Sequence, residues 1–145
     1  MSKLSVLFIC THNSARSQMA EGILRDRYDD RYEIYSAGTE QTHVRPLAIE
    51  VMEEIGIDIS DHTSKTIDAV SQGRTFDVVV TVCDHARDAC PYVPARTKNL
   101  HQSFEDPSAS QGSPEERRAV FRRVRDEIAD WIDQTFAPGA IEGHA

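Results

Sequence analysis

The stretch Cys10-Thr11-His12-Asn13-Ser14-Ala15-Arg16-Ser17 decides the fold, because an apolar run precedes it and a helical pattern follows it. The run from Leu4 to Ile9 predicts a buried strand, and the run from Gln18 to Asp26 predicts a helix. The stretch between them is therefore a tight loop that leads into a helix N-terminus. Such a loop directs several backbone N–H groups toward one point, where the helix dipole also favours an anion.

Two side chains of this loop predict its chemistry. Arg16 carries a planar fork of donors that suits a tetrahedral oxyanion. Cys10 faces the same donors, so we expect it to ionise easily, and the thiolate is the nucleophilic form of cysteine. The loop is then able to bind an oxyanion and attack its central atom. An ordinary core cysteine at the end of a strand is the alternative, and the small polar residues Asn13, Ser14 and Ser17 argue against it.

The composition limits the class of protein. A chain of 145 residues with 39% hydrophobic and 28% charged residues suits a single globular domain. Its net charge of −8 disfavours binding to nucleic acid or to a membrane surface, and it means that local donors must attract any anionic substrate. No apolar stretch reaches transmembrane length, and the first apolar run ends without a cleavage pattern. We expect a cytoplasmic monomer.

Three cysteines, an odd number without an export signal, disfavour a structural disulfide framework. Cys10 and Cys83 each follow an apolar strand, and parallel strands place their carboxyl ends on one edge of a sheet. The segment between Cys83 and Cys90 predicts one or two helical turns, in which the two cysteines lie roughly 10 Å apart. A disulfide needs Cα atoms within about 7 Å, so pairing these cysteines requires the segment to unwind. This segment is a candidate redox switch.

The remaining pattern predicts an α/β protein with strands alternating with helices. We expect one domain over residues 1–145, built on a four-stranded parallel sheet with helices on both faces, and a frayed tail at 139–145. Charged residues interleave along the last predicted helix, which begins at the Ser113 cap, and this interleaving predicts a solvated face that includes Arg125. The other predicted strands are 32–37, 76–82 and 97–100, and the other predicted helices are 46–55 and 66–70.

The loop continues as Gln18-Met19-Ala20-Glu21-Gly22, and with this continuation it resembles the low-molecular-weight tyrosine phosphatase superfamily. Within that superfamily the chain is most similar to thioredoxin-coupled arsenate reductases, over residues 3–136. The further matching positions are Tyr35-Ser36-Ala37-Gly38, Asp58-Ile59-Ser60, His62-Thr63-Ser64, Cys83, Cys90 and Asp106-Pro107.

The resemblance implies a disulfide relay without a cofactor or a metal. The Cys10 thiolate would attack arsenate, and Asp106 would protonate the departing oxygen. Cys83 would then attack Cys10 and release arsenite, and Cys90 would attack Cys83 to leave a disulfide that thioredoxin reduces. Asn13 would brace the loop and Ser17 would stabilise the thiolate. Phosphate and sulfate are the other small oxyanions expected in the loop.

Two positions depart from the family pattern. Ser108 follows the Asp-Pro pair where the phosphatases carry an aromatic residue, which favours a small inorganic oxyanion over phosphotyrosine. Some family members bind potassium through residues that match Asn13, Glu21 and Ser36, with help from Thr63 and an acidic residue at position 65. This chain has Lys65, whose ammonium beside Glu21 would replace the charge of the ion. We therefore expect no potassium requirement.

Other functions and donors remain open at this level. A phosphatase that hydrolyses phosphate monoesters would need Cys10, Arg16 and Asp106 but neither of the other cysteines. A zinc-binding module would use Cys83, His85, Cys90 and His101, although their spacing fits no tight ligand pair. A glutaredoxin would replace thioredoxin as the reductant only if Cys90 were dispensable.

Overall fold

A parallel sheet of four strands forms the centre of the computed structural model, which describes residues 3–83 and 92–137. The strands are β1 (Leu4–Cys10), β2 (Tyr32–Gly38), β3 (Phe76–Thr81) and β4 (Ala95–His101). The helices are α1 (Arg16–Tyr28), α2 (Pro46–Glu53), α3 (Ile67–Ser71) and α4 (Pro114–Phe136), with a 3₁₀ turn at Pro107–Ala109. The predicted helical segment after Cys83 and the predicted tail at 139–145 lie outside the described residues.

The sheet is covered on both faces, as the apolar strands predict. Val6 and Phe8 of β1 point into a large core shared with α1, α2 and α4. Leu7 and Ile9, which alternate with them, point into a smaller cluster on the other face, against which α3 packs. All four side chains are fully buried. A strand buried on both faces has no polar side, and this explains why the sequence of β1 is apolar almost throughout.

The strand order β2-β1-β3-β4 determines where a site can form. The chain moves from β1 outward to β2 and then returns to place β3 on the opposite side of β1. The connection that leaves β1 runs to β2 and the connection that leaves β3 runs to β4, on opposite sides, so the carboxyl ends of β1 and β3 form a topological switch point. Ligands of open α/β sheets bind at such a switch point. Cys10 is the last residue of β1, and Cys83 lies two residues beyond the end of β3.

The helices begin near their predicted starts but differ at their ends. Helix α1 buries its predicted apolar positions Met19 and Ile23 completely. Helix α2 was expected to continue through Ile55, but it ends at Glu53 and leaves Ile55 39% exposed. Gly56 adopts φ 80° just beyond, a left-handed conformation that glycine accepts without strain and that ends the helix.

The predicted solvated face of α4 is wrong at Arg125. This residue is only 8% exposed, and its Nη1 donates to the Val51 carbonyl oxygen (2.8 Å) and to Glu54 (3.0 Å). Arg118 pairs with Glu50 (2.8 Å), and Arg122 pairs with Glu54 (2.6 Å). The arginines thus join α4 to α2, because the two helices lie side by side. Interleaved charges along one helix do not reveal a partner helix that is distant in sequence.

The two ends of α4 are also secured. Ser113 forms the predicted capping box with Glu116, in which the side chain of each residue accepts a hydrogen bond from the backbone N–H of the other. At the other end the Phe136 ring packs edge-on against Phe8 and Tyr32, with centroid distances of 6.0 and 5.4 Å. None of the described helices is both long and apolar enough to span a bilayer.

The α2–α4 ion pairs make a prediction about acid stability. Hydrogen bonds from Arg122 and Arg125 lower the pKa of Glu54 to about 2, against the opposing effect of burial. Replacing Glu54 with glutamine should therefore lower the free energy of unfolding at neutral pH by about 1 kcal/mol. A carboxyl whose pKa is depressed in the folded state stabilises the fold above its unfolded pKa, so this difference should disappear as the pH falls from about 4.5 toward 2.

Urea denaturation of both proteins across this pH range measures the effect. Glu53→Gln is the matched control, since this exposed residue ends α2 one position before Glu54 and carries the same charge. Equal losses of stability in the two variants, or a Glu54 effect that does not change with pH, would contradict the assignment.

Candidate active site

Neighbouring segments hold the loop between β1 and α1 in place by donating hydrogen bonds to its backbone carbonyl oxygens. The Thr11 carbonyl oxygen accepts from the backbone N–H groups of Thr39 (2.9 Å) and Glu40 (3.1 Å). The Ser14 carbonyl oxygen accepts from the N–H of Arg45 (2.9 Å). These contacts fix the loop against the segment that follows β2.

The carbonyl groups of His12 and Asn13, which lie between those of Thr11 and Ser14, also accept hydrogen bonds. The His12 carbonyl oxygen accepts from the hydroxyls of Thr42 and Ser64, each at 3.0 Å, and the Asn13 carbonyl oxygen accepts from the Gln18 amide at 3.2 Å. In a trans peptide the C=O and the following N–H point in opposite directions. Four carbonyl groups turned outward therefore turn the N–H groups of residues 12–15 inward. This arrangement is what an anion requires at a helix N-terminus.

Gly38 allows the loop to lie directly against the end of β2. A Cβ atom at this position would lie 2.7 Å from the Thr11 carbonyl oxygen, 2.8 Å from the Asn13 nitrogen and 2.9 Å from the Cys10 carbonyl oxygen. All three atoms belong to the backbone, so they cannot move away as a flexible side chain would. A side chain of any size at position 38 would force the loop to shift.

Cys10 is buried and lies within a short polar network. Its Sγ is 3.0 Å from the Ser17 hydroxyl, and the Asn13 Nδ2 donates to that hydroxyl at 2.8 Å. Because the amide donates to the Ser17 oxygen, the Ser17 hydrogen remains available to donate to the Cys10 sulfur. Asn13 adopts φ 49°, in the left-handed region that asparagine tolerates better than most residues.

Gln18 and His62 extend this network to the protein surface. The Gln18 Nε2 donates to the Asn13 side-chain oxygen (2.9 Å) and to the Thr63 carbonyl oxygen (2.9 Å), and its Oε1 lies 3.0 Å from the His62 Nδ1. Burial lowers the pKa of His62, whereas the nearby Glu21 raises it. A neutral His62 that donates from Nδ1 to the Gln18 oxygen satisfies both groups and holds Asn13 in place.

Arg16 and Asp106, which are 90 positions apart in the sequence, lie close together in the structure. The Arg16 side chain is almost completely buried, and its Nη1 donates to the Phe104 carbonyl oxygen at 3.3 Å. Its Nη2 lies 3.6 Å from the carboxylate of Asp106, which is 24% exposed. The other Asp106 oxygen accepts from the Ser108 N–H (2.9 Å), as expected for an aspartate before a proline in a turn.

Cys83 lies on the same sheet edge as Cys10. The β1–β3 register pairs Ile9 with Thr81, and the Val82 N–H donates to the Ile9 carbonyl oxygen at 2.9 Å. The next positions, Cys10 and Val82, therefore lie side by side at the spacing of neighbouring strands, about 4.8 Å. Cys83 is one residue further along, is fully buried and packs in the same core cluster as Cys10.

The other predicted site residues are divided between the described and undescribed parts of the chain. Cys90 and His85 lie outside the described residues. His101 lies at the end of β4, with Nδ1 2.6 Å from the Thr81 hydroxyl and Nε2 3.2 Å from the Ser103 hydroxyl. Within residues 3–83 and 92–137, no group of three potential ligands is placed to hold a metal ion.

The region matching the potassium site contains an internal cation. Arg25 forms a salt bridge with Glu21 (2.7 Å), whose other oxygen accepts from the Ser36 hydroxyl. Lys65 was expected beside Glu21, but its Nζ donates to the Thr63 carbonyl oxygen at 2.6 Å. The positive charge next to Glu21 therefore comes from Arg25, one helical turn further along α1.

Sequence reasoning assigned no role to Gly38, Gln18 or Phe104. Gly38 ends a predicted strand, and a glycine at a strand end gives no hint of a loop that contacts it from 27 residues earlier. Gln18 looks like any polar residue at a helix start. Phe104 acts through its backbone carbonyl, which carries no signal in the side chain. In each case the contact partner is distant in the chain.

These features define a class of enzyme: a buried cysteine nucleophile under an anion-binding loop, with an arginine and an aspartate beside it. The model of the family described as low molecular weight phosphotyrosine protein phosphatase matches residues 5–138. The chain belongs to this family.

Individual relatives within the family are arsenate reductases. An arsenate reductase from Halalkalibacterium halodurans is 50% identical over 94% of this chain and 97% of its own length. A solved structure described as an arsenate reductase in the phosphate binding state superposes with a TM-score of 0.74, at 32% identity, over 94% of this chain and 98% of that one. A Corynebacterium glutamicum thioredoxin-dependent arsenate reductase gives 0.64, at 27% identity, over 91% of this chain and 61% of that one.

The contact at Gly38 makes the first prediction for this site. Gly38→Ala should weaken phosphate binding at least about tenfold, because the added methyl group displaces the backbone of residues 10–13. Isothermal titration calorimetry with inorganic phosphate measures the effect. Gly56→Ala is the control, since its φ of 80° imposes strain while nothing lies within 4 Å of the added carbon. Unchanged phosphate affinity in Gly38→Ala would refute this role.

The Arg25–Glu21 pair makes the second prediction. Exchanging sodium for potassium at constant ionic strength should change neither turnover nor Tm, because a guanidinium already compensates the carboxylate. Thermal melts and steady-state assays in the two salts test this directly. A potassium effect seen only in Arg25→Gln would support the explanation, whereas a potassium effect in the unaltered protein would contradict it.

Proposed function

We propose that this protein is an arsenate reductase that uses Cys10 and Cys83 as its two-electron donor and Cys90 to complete a disulfide relay. The observation that carries the proposal is the placement of Cys10 and Cys83 at neighbouring strand ends, beneath an anion-binding loop. A phosphatase needs Cys10, Arg16 and Asp106 but no second cysteine. A second cysteine next to the nucleophile is what a reductase requires.

The first step uses the loop. Arsenate is a tetrahedral oxyanion, so the inward N–H groups and the Arg16 guanidinium are suited to hold its oxygens. The Cys10 sulfur attacks arsenic, and an oxygen leaves as water after it takes a proton. Asp106 is the proton donor in this proposal, because its carboxylate lies 3.6 Å from the same guanidinium. The step forms a sulfur–arsenic bond and breaks an arsenic–oxygen bond, and arsenic stays pentavalent.

The second step transfers the electrons. The Cys83 thiolate attacks the Cys10 sulfur, the sulfur–arsenic bond breaks, and its electron pair leaves with arsenic. Arsenic goes from the pentavalent to the trivalent state while the two thiols become one disulfide. Overall, arsenate and two thiols give arsenite, one disulfide and one water. The ends of neighbouring strands suit this bond, because such strands lie about 4.8 Å apart and a disulfide joins Cα atoms about 5.5 Å apart.

The third step regenerates Cys10. Cys90 attacks Cys83, and the Cys83–Cys90 disulfide passes to an external dithiol, which we propose to be thioredoxin. A dithiol donor suits a pair of cysteines because the exchange leaves no mixed disulfide behind. The similarity to a structure described as a thioredoxin-dependent arsenate reductase supports this choice. We further propose that the protein acts as a cytoplasmic monomer and contributes to arsenic detoxification.

Phosphate-ester hydrolysis is the second candidate function. The family model is that of a phosphotyrosine phosphatase, and Cys10, Arg16 and Asp106 are the groups that such hydrolysis needs. Ser108 follows Pro107 in this chain, so this position offers no ring to stack on a phosphotyrosine. Weak hydrolysis of an aryl phosphate is compatible with the reductase proposal, and it requires neither Cys83 nor Cys90.

Three single Cys→Ser variants test the relay. In an assay that couples NADPH oxidation to arsenate through thioredoxin and its reductase, Cys10→Ser and Cys83→Ser should show no sustained turnover. Cys90→Ser should release a single equivalent of arsenite and then stop, because its Cys10–Cys83 disulfide has no resolving thiol. Chromatographic separation of arsenite from arsenate measures the product directly.

An aryl phosphate assay serves as the control for folding and for the loop. Cys83→Ser and Cys90→Ser should keep whatever hydrolysis the unaltered protein shows, whereas Cys10→Ser should lose it. Sustained arsenate reduction by Cys83→Ser would overturn the relay. Phosphatase activity without any arsenate-dependent NADPH oxidation would favour the second candidate function.

A further inference from the structure

The segment 102–106, which we name the acid strap, joins β4 to Asp106 and runs beside the chain that ends in Cys83. The Gln102 N–H donates to the Thr81 carbonyl oxygen (3.0 Å), and the Phe104 N–H lies 3.4 Å from the Val82 carbonyl oxygen. The pairing of β3 and β4 thus continues past the last strand residues. The acid strap includes Asp106, the proton donor of the first proposed step. It also contacts Thr81 and Val82, which lie just before Cys83, the cysteine whose thiol acts in the second proposed step.

A chain of side-chain hydrogen bonds leads from the sheet to Cys83. The Thr81 hydroxyl lies 2.6 Å from the His101 Nδ1, and the His101 Nε2 lies 3.2 Å from the Ser103 hydroxyl. The Ser103 hydroxyl donates to the Cys83 carbonyl oxygen at 3.3 Å. Since Ser103 donates its hydrogen to a carbonyl, its oxygen accepts from the Nε2–H of His101. The Nδ1 then accepts from the Thr81 hydroxyl at the short distance of 2.6 Å, and the Leu100 carbonyl oxygen lies further from the same hydroxyl, at 3.4 Å.

This chain acts at a position where the backbone has left the sheet. β3 ends at Thr81, and the backbone pairing described above extends to Val82, the residue before Cys83. The Ser103 hydroxyl binds the carbonyl of Cys83 itself and limits where its Cα can lie relative to Cys10. Attack of one sulfur on another is sensitive to this placement, because the disulfide accepts a narrow range of Cα distances. Displacements of about 1 Å commonly cost large factors in rate.

We propose that Ser103, oriented by His101, is a positioning residue that holds Cys83 for its attack on Cys10. The inference rests on the proposed function, because it concerns the second step of that reaction. It assigns Ser103 no contact with the oxyanion and no proton transfer. It predicts that Ser103 governs the rate at which the Cys10–Cys83 disulfide forms, with little effect on the reactivity of Cys10.

The two steps are separable because other contacts hold the rest of the acid strap. The Phe104 ring is 95% buried and packs edge-on against Trp131, with centroids 6.2 Å apart. Its carbonyl oxygen accepts from Arg16, and Asp106 lies in the turn that follows. Removal of the Ser103 hydroxyl leaves these contacts in place. Loss of an exposed hydrogen bond alone would instead lower stability slightly and affect no single step.

The experiment uses the Cys90→Ser protein, in which the Cys10–Cys83 disulfide accumulates. The reduced protein is mixed with arsenate and quenched with acid at timed intervals, and mass spectrometry of alkylated peptides counts the disulfide. Adding Ser103→Ala should slow its formation about tenfold, and Ser103→Thr, which keeps a hydroxyl, should restore the rate to within about twofold. Gln102→Ala is the matched control, because its side chain lies in the same strap but bonds to the Ser103 carbonyl oxygen.

A second measurement separates positioning from a general loss of structure. Iodoacetate alkylation of Cys10, followed by peptide mass, should proceed at the same rate in all of these proteins. Disulfide formation at an unchanged rate in Ser103→Ala would overturn the inference, and so would an equal slowing of Cys10 alkylation. If arsenate produces no disulfide even with Ser103 intact, the proposed function fails first and takes the inference with it.

Discussion

The outward hydrogen bonds of four loop carbonyl groups are the constraint on which this site depends. Segments after β2 and before α3 bind the carbonyl oxygens of residues 11, 12 and 14, Gln18 of α1 binds that of residue 13, and the trans peptide then turns the N–H groups inward. The chain carries a net charge of −8, so its overall field repels an oxyanion. Attraction must arise from fixed dipoles and one buried guanidinium. The surrounding segments orient these donors before any anion arrives.

The strand order places Cys83 near Cys10. Because β3 lies on the other side of β1 from β2, the carboxyl ends of β1 and β3 are adjacent, and Cys10 and Cys83 pack in the same core cluster there. The acid strap then continues from β4 across the same edge and brings Asp106 to Arg16. One sheet edge thus holds Cys10 as the proposed nucleophile, the inward N–H groups with Arg16, Asp106 as the proposed acid, and Cys83. The family supports two chemistries on one loop, and the proposed difference between them is a thiol within reach.

Charge pairing in this protein takes different forms in different places. At the surface between α2 and α4, arginine–glutamate ion pairs join the two helices, and the hydrogen bonds from the arginines hold the pKa of Glu54 well below its ordinary value. Beside the loop, Arg25 forms a salt bridge with Glu21 within helix α1. At the site itself, Arg16 is buried between the Phe104 carbonyl and Asp106. In each case the partner is set by packing, so the residue types alone would not identify it.

The sequence by itself determined most of the elements and the loop that carries Cys10 and Arg16. Apolar runs predict β1 and β3, and Pro46 and the Ser113 cap predict the starts of α2 and α4, because burial on both faces and orphan N–H groups leave local patterns. The spacing of Cys10 and Arg16 predicts the loop, and both residues lie where expected. Only the tertiary structure decided the contacts of Gly38, Gln18, Arg125 and Ser103. Their partners lie 20 or more residues away in the sequence, and the atoms they contact belong to the backbone. No local pattern of side chains records such a contact.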